Sequence, residues 1–301
     1  MIAYLNGEKL NDSSQLKSDA QNLLCIAHKQ EESSILSDLF PARARQDDKT
    51  SAANYFESRA GFDYIHIKIP DIGLPTNSGA IEIYFSPQKL AFLFNKTEMM
   101  EAFTRDLEDN SDRLASLESV LYHFLVKLTG DDAQSLEQIE LEIVKMEDTL
   151  LSHADEDYYA SISAMRKRLL LLKRYYESLA DLYDEMEENR NGFFDDKALN
   201  LIHFQSKRVD RLYSDVLNLR DYLTQVREAY QSQADITLNK TMRFFTVVAT
   251  IFLPLTLVVG WYGMNLSMPE YDQPYAYPVV IVISAVIIVA SVIYFRKKKW
   301  F

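Results

Sequence analysis

Two long apolar segments near the C-terminus dominate the hydrophobic pattern of the chain. They cover Phe244–Trp261 and Tyr275–Phe295, and neither contains a charged residue. A helix rises ~1.5 Å per residue, so each segment is long enough to cross a hydrocarbon core of ~30 Å. The pattern therefore predicts transmembrane helices over residues 239–262 and 275–295, joined by a short loop over residues 263–274.

The segment before the first span has the pattern of one long helix. From Asp196 through Leu238 there is no Pro or Gly. Apolar residues recur there at spacings near those of a coiled coil, at Leu199, Ile202, Val209, Leu212, Val216, Leu219, Leu223 and Val226. We expect this helix to continue into the first span as a rod of ~65 residues, or ~100 Å. A helix of this length is unusual in an isolated globular protein, so it favours an assembly in which several chains pack side by side.

Shorter helices are predicted between residues 97 and 189. Helical spacing begins near Thr97 and again near Ser111, and it returns over Leu136–Leu151 and over Asp157–Asn189. The turn-forming sequences Gly130-Asp131-Asp132 and Asn191-Gly192 interrupt the pattern. Residues 96–238 are therefore expected to form a helical domain that includes the long stalk.

Residues 1–95 have the pattern of a mixed α/β domain. Leu23–His28 is a short apolar strand candidate, and apolar and polar residues alternate over Phe62–Ile69. Ile81–Phe85 and Lys89–Phe94 predict a hairpin around a turn that contains Pro87. Glu31–Leu39 is a candidate connecting helix. A two-layer α/β arrangement is the natural interpretation.

Charge is divided unevenly along the chain, whose net charge is −12. Residues 236–301 contain six basic and two acidic residues, a net +4; subtraction from the totals of 32 and 44 leaves 26 and 42 in residues 1–235, a net −16. An acidic surface of this kind repels nucleic acid and attracts cations. The single cysteine, Cys25, fits a reducing compartment.

The distribution of basic residues predicts the membrane orientation. Lys240 and Arg243 precede the first span, the basic tail 296–301 follows the second, and the loop between the spans has no Lys or Arg. The positive-inside rule then places both termini in the cytoplasm and the loop outside. The N-terminal sequence also lacks the apolar core of a signal peptide. The predicted fold is an α+β cytoplasmic domain, an α/β sheet layer followed by long helices, with two C-terminal transmembrane helices in a multi-pass cell-membrane protein.

The first span carries a stripe of small and polar side chains on one helix face. Its members recur in steps of three and four: Asn239, Met242, Thr246, Ala249, Leu253, Thr256, Gly260 and Gly263. Residues of this kind face other helices or water rather than lipid. Helix–helix packing alone explains such a face about as well as a water-filled path does. A path would need several chains around one axis, and the second span, with Ser284 and Ser291 as its polar residues, would then form a lipid-facing belt.

The segment Asn239–Glu270, the two spans and the basic tail resemble the CorA family of divalent cation channels. The triplet Gly263-Met264-Asn265 at the outer end of the first span is that family's signature, and Pro254, Thr256, Gly260 and Tyr262 are also in register. The resemblance is clear over residues 235–301. It implies a homopentameric funnel that passes Mg2+, and also Co2+ or Ni2+, down the electrochemical gradient.

The resemblance also implies roles for individual residues. Gly263, Met264 and Asn265 would form an outer selectivity ring, and the pore lining would comprise Asn239, Met242, Phe245, Ala249, Leu253, Thr256 and Gly260. Phe245 stands where the family has an apolar constriction, and an aromatic residue there departs from the pattern. Mg2+ holds its first water shell tightly, so the neutral amide of Asn265 suits contact through coordinated water. In the outer loop, Glu270 and Asp272 would raise the local cation concentration.

Family members sense cytoplasmic Mg2+ through acidic residues between subunits, and a candidate cluster occurs at Asp181, Asp184 and Glu188. These residues would share a helix face, although a solvated acidic face is the commoner explanation for such a pattern. The family's sensor position on the long helix falls at Phe204, with Asp210 and Asp215 nearby. Mg2+ is thus expected as cargo and regulator, and no organic cofactor is expected.

Catalytic patterns are missing from the sequence. The five histidines are scattered, and there is no phosphate-binding loop or dinucleotide glycine pattern, so we expect neither an enzyme nor an ATP-driven pump. The expected partners are further copies of the chain, membrane lipids and divalent cations, and not nucleic acid. Two alternatives stay open: a Zn2+ transporter of the same superfamily, and a membrane-tethered coiled-coil scaffold without transport.

Overall fold

The computed structural model describes most of the chain. It covers residues 2–5, 8–9, 22–31, 39–40, 54–70, 78–110, 116–152, 158–265, 269, 273–298 and 300. The chain divides into two compact units, residues 1–226 and residues 227–301.

The first unit begins with a seven-stranded sheet. Its strands are β1 (Ile2–Leu5), β2 (Glu8–Lys9), β3 (Leu23–His28), β4 (Tyr55–Arg59), β5 (Phe62–Ile69), β6 (Gly79–Ser86) and β7 (Lys89–Phe94). They lie in the order β2-β1-β3-β7-β6-β5-β4. The β3–β7 pair is parallel and the other pairs are antiparallel. The predicted strand β3 and the β6–β7 hairpin are confirmed, whereas β1, β2 and β4 were not predicted.

In the described ranges, five helices follow the sheet, and a sixth follows the predicted loop segment 263–274. They are α1 (Thr97–Asp109), α2 (Leu117–Leu128), α3 (Asp132–Ser152), α4 (Tyr158–Glu187), α5 (Asp196–Tyr262) and α6 (Ala276–Lys297). The prediction of one helix running from residue 196 through the first span is confirmed. Helix α3 begins at Asp132, one turn before the predicted Leu136. Of the candidate helix Glu31–Leu39, residues 32–38 lie outside the described residues, and Glu31 ends a short 3-10 turn.

The two faces of the sheet are covered differently. On one face Phe92 packs against Phe103 of α1 and Phe124 of α2, with ring centroids 4.8 and 5.2 Å apart. The other face contributes Tyr64 and Tyr84 to a buried cluster that includes Leu39 and Phe40. The strand β5 is more buried than its alternating pattern predicts, because even Asp63 is only 1% exposed. Side chains on both faces of the sheet are therefore buried.

The helices α4 and α5 supply a second apolar core. On α4, the side chains of Leu169, Leu179, Tyr183 and Met186 are fully buried. On α5, apolar burial recurs from Ile202 to Val226, as the coiled-coil-like spacing predicts. Tyr222 of α5 donates a hydrogen bond from its hydroxyl to Glu147 of α3 at 2.5 Å. These contacts hold the first part of α5 within the first unit.

The division between units differs from the predicted domain boundaries. The boundaries after residues 95 and 238 stay predictions, whereas contacts group the sheet, helices α1 to α4 and the first part of α5 into one unit that ends at Val226. The reason is that burial along α5 stops there: in the described part of α5 beyond Val226, Val247 alone is buried. The other described side chains of α5 beyond Val226 are exposed or half-buried.

Candidate functional site

Among the residues that the structure describes, two helices are long and apolar enough to cross a membrane. They are α5 and α6, and their most apolar stretches are almost fully exposed in the single chain. A buried core helix of a soluble protein would instead be covered by neighbouring elements. The exposure of these stretches therefore fits a surface that meets lipid or further chains.

The predicted stripe lies on the exposed surface of α5. Met242 is 58% exposed and Leu253 72%, and Asn239, Thr246, Ala249, Thr256 and Gly260 are also exposed. Phe245, which the resemblance adds to the pore lining, is 61% exposed. The hydroxyl of Thr256 donates to the backbone oxygen of Phe252 at 2.8 Å, which satisfies the polar hydrogen within the helix. The Thr256 oxygen can still accept a hydrogen bond from water.

Much of this stripe lines one shallow groove. The groove has a volume of about 690 Å3 and its walls are largely apolar. It is lined by Ala249, Phe252, Leu253, Thr256, Leu257, Gly260, Trp261 and Met264. The structure thus brings together five of the predicted site residues. It adds Phe252, Leu257 and Trp261, which the sequence pattern did not distinguish from ordinary lipid-facing residues.

Two glycines shape the C-terminal part of this face in different ways. A Cβ atom added at Gly260 would meet no atom within 4 Å, so the chain itself leaves that position open. At Gly263 an added Cβ would lie 2.9 Å from the backbone oxygen of Val259, which is closer than real Cβ atoms approach. The same oxygen accepts the Gly263 N–H at 2.9 Å. The backbone conformation at the end of α5 therefore requires a glycine at position 263.

Asn265 lies just beyond the end of α5. The helix ends at Tyr262, and Met264 N–H donates to the Trp261 oxygen at 3.4 Å in the turn that follows. Both Met264 and Asn265 are exposed. The Asn265 amide is thus displayed at the tip of the helix, where carbonyl groups also lack helical partners. The predicted cation-attracting residues Glu270 and Asp272 lie outside the described residues.

The predicted regulatory residues do not converge on one point within the chain. Asp181 and Asp184 are exposed on α4, but Glu188 follows the end of that helix and pairs with Arg190 at 2.6 Å. Asp184 accepts a weak hydrogen bond from Ser206 at 3.5 Å. In the part of the chain that the structure describes, no three His, Cys, Asp or Glu side chains form a metal-binding group. A regulatory metal at these residues stays a prediction that would need a second chain.

A family model for the "CorA-like Mg2+ transporter protein" matches residues 34–297. The chain belongs to this family. The match covers most of the chain, from strand β4 of the sheet through the helices and both apolar C-terminal segments, and the family is one of transporters rather than enzymes.

Curated relatives agree with this assignment. The chain is 28% identical over 182 residues to the cobalt/magnesium transport protein CorA of Thermotoga maritima, covering 60% of this chain and 52% of the relative. It is 30% identical over 203 residues to the protein of the same name from Methanocaldococcus jannaschii, covering 60% and 57%. The chain spans little more than half the length of these curated relatives.

Solved structures show the same fold. The complete CorA magnesium transporter from Methanocaldococcus jannaschii matches with a TM-score of 0.82 at 21% identity, covering 100% of this chain and 98% of that one. The ZntB cytoplasmic domain from Vibrio parahaemolyticus matches with a TM-score of 0.59 at 14% identity, covering 78% and 98%. At these identities the likeness is one of fold. The predicted α+β domain with two C-terminal helices is confirmed.

Proposed function

We propose that the chain is one subunit of a homopentameric cation channel that conducts Mg2+ into the cell, with Co2+ and Ni2+ as further substrates. The observation that carries the proposal is the exposed stripe of α5. It runs over a membrane-length helix from Asn239 to Gly263, and no described part of the chain covers it. Several copies around an axis would turn this stripe into the lining of a path.

The side chains of the stripe and of the adjoining Asn265 suit a hydrated divalent cation. The Asn265 amide oxygen at the tip of α5 is neutral and exposed. A ring of such oxygens can hydrogen-bond the water shell of Mg2+ without removing it, and it binds the ion too weakly to trap it. The exposed apolar side chains of Met242 and Phe245 would form a constriction that closes by excluding water. Gly263, Met264 and Asn265 are therefore proposed as the selectivity ring.

The membrane potential would drive the flux, and cytoplasmic Mg2+ would control it. With both termini in the cytoplasm, a membrane potential that is negative inside would draw cations inward. The first 235 residues carry the net −16 described above, so cytoplasmic Mg2+ can associate with that surface and report its concentration. Gating by this Mg2+ through Asp181, Asp184 and Glu188 requires contacts between subunits, since these residues do not form a cluster within one chain.

A Zn2+ transporter is the second candidate function. The observation in its favour is the fold shared with the ZntB cytoplasmic domain. That likeness concerns the soluble unit, whereas the ion would be selected at the tip of α5. A third alternative, a tethered scaffold without transport, would use the stripe for helix–helix packing and leaves the exposed amide of Asn265 without a role.

Ion uptake into liposomes containing the purified protein separates these candidates. We expect Mg2+ uptake that follows an imposed membrane potential and is unchanged by a pH gradient. Zn2+ uptake that exceeds Mg2+ uptake and depends on a pH gradient would favour the second candidate. No uptake of either ion in liposomes that contain assembled protein would favour the scaffold.

A further inference from the structure

Three consecutive basic side chains lie at the C-terminal end of α6. Arg296, Lys297 and Lys298 are all exposed. The sequence has no Asp or Glu between residues 273 and 301. Within the described residues, no carboxylate forms an ion pair with any of the three. The carbonyl groups at a helix C-terminus add negative potential, which favours cations at this position but does not neutralise them.

An aromatic residue folds back beside these charges. The backbone N–H of Trp300 donates to the backbone oxygen of Phe295 at 3.1 Å, and the ring centroids of the two side chains lie 5.4 Å apart. Phe295 is only 4% exposed, so it anchors the indole at the level of the last helical turn. Trp300 itself remains 37% exposed. The fold therefore holds an amphipathic ring next to the three basic side chains.

The helix surface adjoining this end is apolar. Ile293 is 61% exposed and Tyr294 is 57% exposed. Tryptophan and tyrosine favour the headgroup level of a bilayer, and basic side chains there attract anionic lipids. The same short segment thus offers a cationic surface for a headgroup and an apolar surface for the attached acyl chains.

We propose that this end of α6, comprising Ile293, Tyr294, Arg296, Lys297, Lys298 and Trp300, binds the headgroup of an anionic phospholipid such as phosphatidylglycerol. The proposal rests on the proposed function in one respect, that α6 spans a bilayer. An inorganic anion would use the basic side chains and leave the adjoining apolar surface unused. A phospholipid uses both, and it is present wherever the helix is inserted.

The chain's two tryptophans allow a direct test. Trp261 lies near the outer end of α5 and Trp300 lies at the basic end of α6, so Trp261→Phe and Trp300→Phe each leave one fluorophore. The full-length variants are placed in phosphatidylcholine vesicles with a minor fraction of brominated phosphatidylglycerol or, separately, of brominated phosphatidylcholine. Bromine quenches a tryptophan that it touches, so the ratio of the two quenching efficiencies reports local enrichment of the anionic lipid.

With Trp300 as the fluorophore we expect phosphatidylglycerol to quench at least about three times more than phosphatidylcholine, since each basic side chain near a surface favours anionic lipid by about fivefold. Substituting Arg296, Lys297 and Lys298 by Gln should bring this ratio at least halfway to one, and high salt should lower it. The control Lys240→Gln removes a positive charge from α5 and should leave the ratio unchanged. With Trp261 as the fluorophore the ratio should be about one.

Equal quenching of Trp300 by the two lipids would overturn the lipid proposal alone. Enrichment that survives both the Gln substitutions and high salt would also overturn it, because the basic side chains would then play no part. If Trp300 were quenched by neither lipid, its indole would not lie in the bilayer and the lipid proposal would fail, whereas Mg2+ uptake into the same vesicles judges the proposed function separately.

Discussion

Asn191, in the turn between α4 and α5, donates a hydrogen bond from Nδ2 to Asp63 Oδ1 in β5 at 2.7 Å. The same amide group donates to the backbone oxygen of Arg59 at 2.9 Å. Asp63 is 1% exposed, and this burial raises the pKa of its carboxyl group, while the hydrogen bond from Asn191 opposes the rise. One side chain thus ties the helical hairpin to the β4–β5 hairpin of the sheet.

Asn191→Ala should destabilise the protein by about 1–3 kcal/mol, because it removes a hydrogen-bond donor from a buried carboxyl group. Thermal or denaturant unfolding of the detergent-solubilised chain measures the change. Asn200→Ala is the matched control: its amide donates to Asp196 within the exposed first turn of α5, and we expect a change below about 0.5 kcal/mol. Equal effects of the two substitutions would show that the Asn191 contact is not important for stability.

A second polar contact predicts a pH dependence. Asp106 of α1 accepts hydrogen bonds from Lys127 Nζ at 2.5 Å and His123 Nε2 at 2.7 Å, both from α2. Burial raises the pKa of Asp106, but the hydrogen bonds from Lys127 and His123 outweigh it, so the pKa lies below its ordinary value. A depressed pKa stabilises the folded state above the unfolded pKa of about 4, and the stabilisation is lost as pH falls through the folded value.

Asp106→Asn should therefore lower the melting temperature at pH 6 and should flatten the decline in melting temperature below about pH 4. Melting curves between about pH 3 and pH 6 provide the measurement. Asp109→Asn, at an exposed position of the same helix, should leave the pH profile unchanged. A wild-type pH profile in the Asp106 variant would contradict the assigned role of the contact.

The proposed constriction predicts a difference between two adjacent aromatic residues. Phe244 and Phe245 are exposed to nearly the same extent, 59% and 61%, but only Phe245 is placed in the pore lining. Phe245→Ala should widen the constriction, allow water to enter and raise Mg2+ leak several-fold in liposomes held under closing Mg2+ concentrations. Phe244→Ala should have little effect on leak. A larger leak in the Phe244 variant would mean that the constriction has been assigned to the wrong helix face.

Substitution of Gly260 tests whether other chains pack closely against the stripe. An added Cβ atom meets nothing within 4 Å in the single chain, so we expect Gly260→Val to leave the fold of the protomer intact. In a bundle in which α5 helices pack closely at this glycine, the same change should weaken or abolish assembly. Native mass spectrometry of the detergent-solubilised protein reports the oligomer, and Val259→Leu, at a 70% exposed neighbour, is the control. An intact oligomer in the Gly260 variant would remove this glycine from the subunit contact.

The parts of the fold that follow from local pattern were predictable from the sequence. Each of these elements shows its pattern of apolar residues within a single local segment. They are the strand Leu23–His28, the β6–β7 hairpin and the unbroken helix from Asp196. The strand Tyr55–Arg59 was missed because Glu57 and Arg59 interrupt its apolar pattern at the edge of the sheet. Edge strands are commonly charged, which hides them from a search for apolar runs.

Features that depend on distant contacts were not predictable. Asp63 and Asn191 are separated by 128 positions, and nothing in either local sequence indicates that they meet. The helix face around Asn239–Gly263 was predictable because small and polar residues stand out in an apolar span. The groove residues Phe252, Leu257 and Trp261 were not, since apolar side chains in a span look alike whether they meet lipid or another helix.

Mg2+ flux through Asn265→Ala tests the central proposal most directly. Wild-type protein and the variant are reconstituted separately in liposomes containing a Mg2+ indicator, a membrane potential is imposed, and assembly is checked by native mass spectrometry. The proposed selectivity ring predicts rapid uptake by the wild type and none by an assembled variant. Wild-type flux in the Asn265 variant would contradict the assignment of the tip of α5 as the selectivity site.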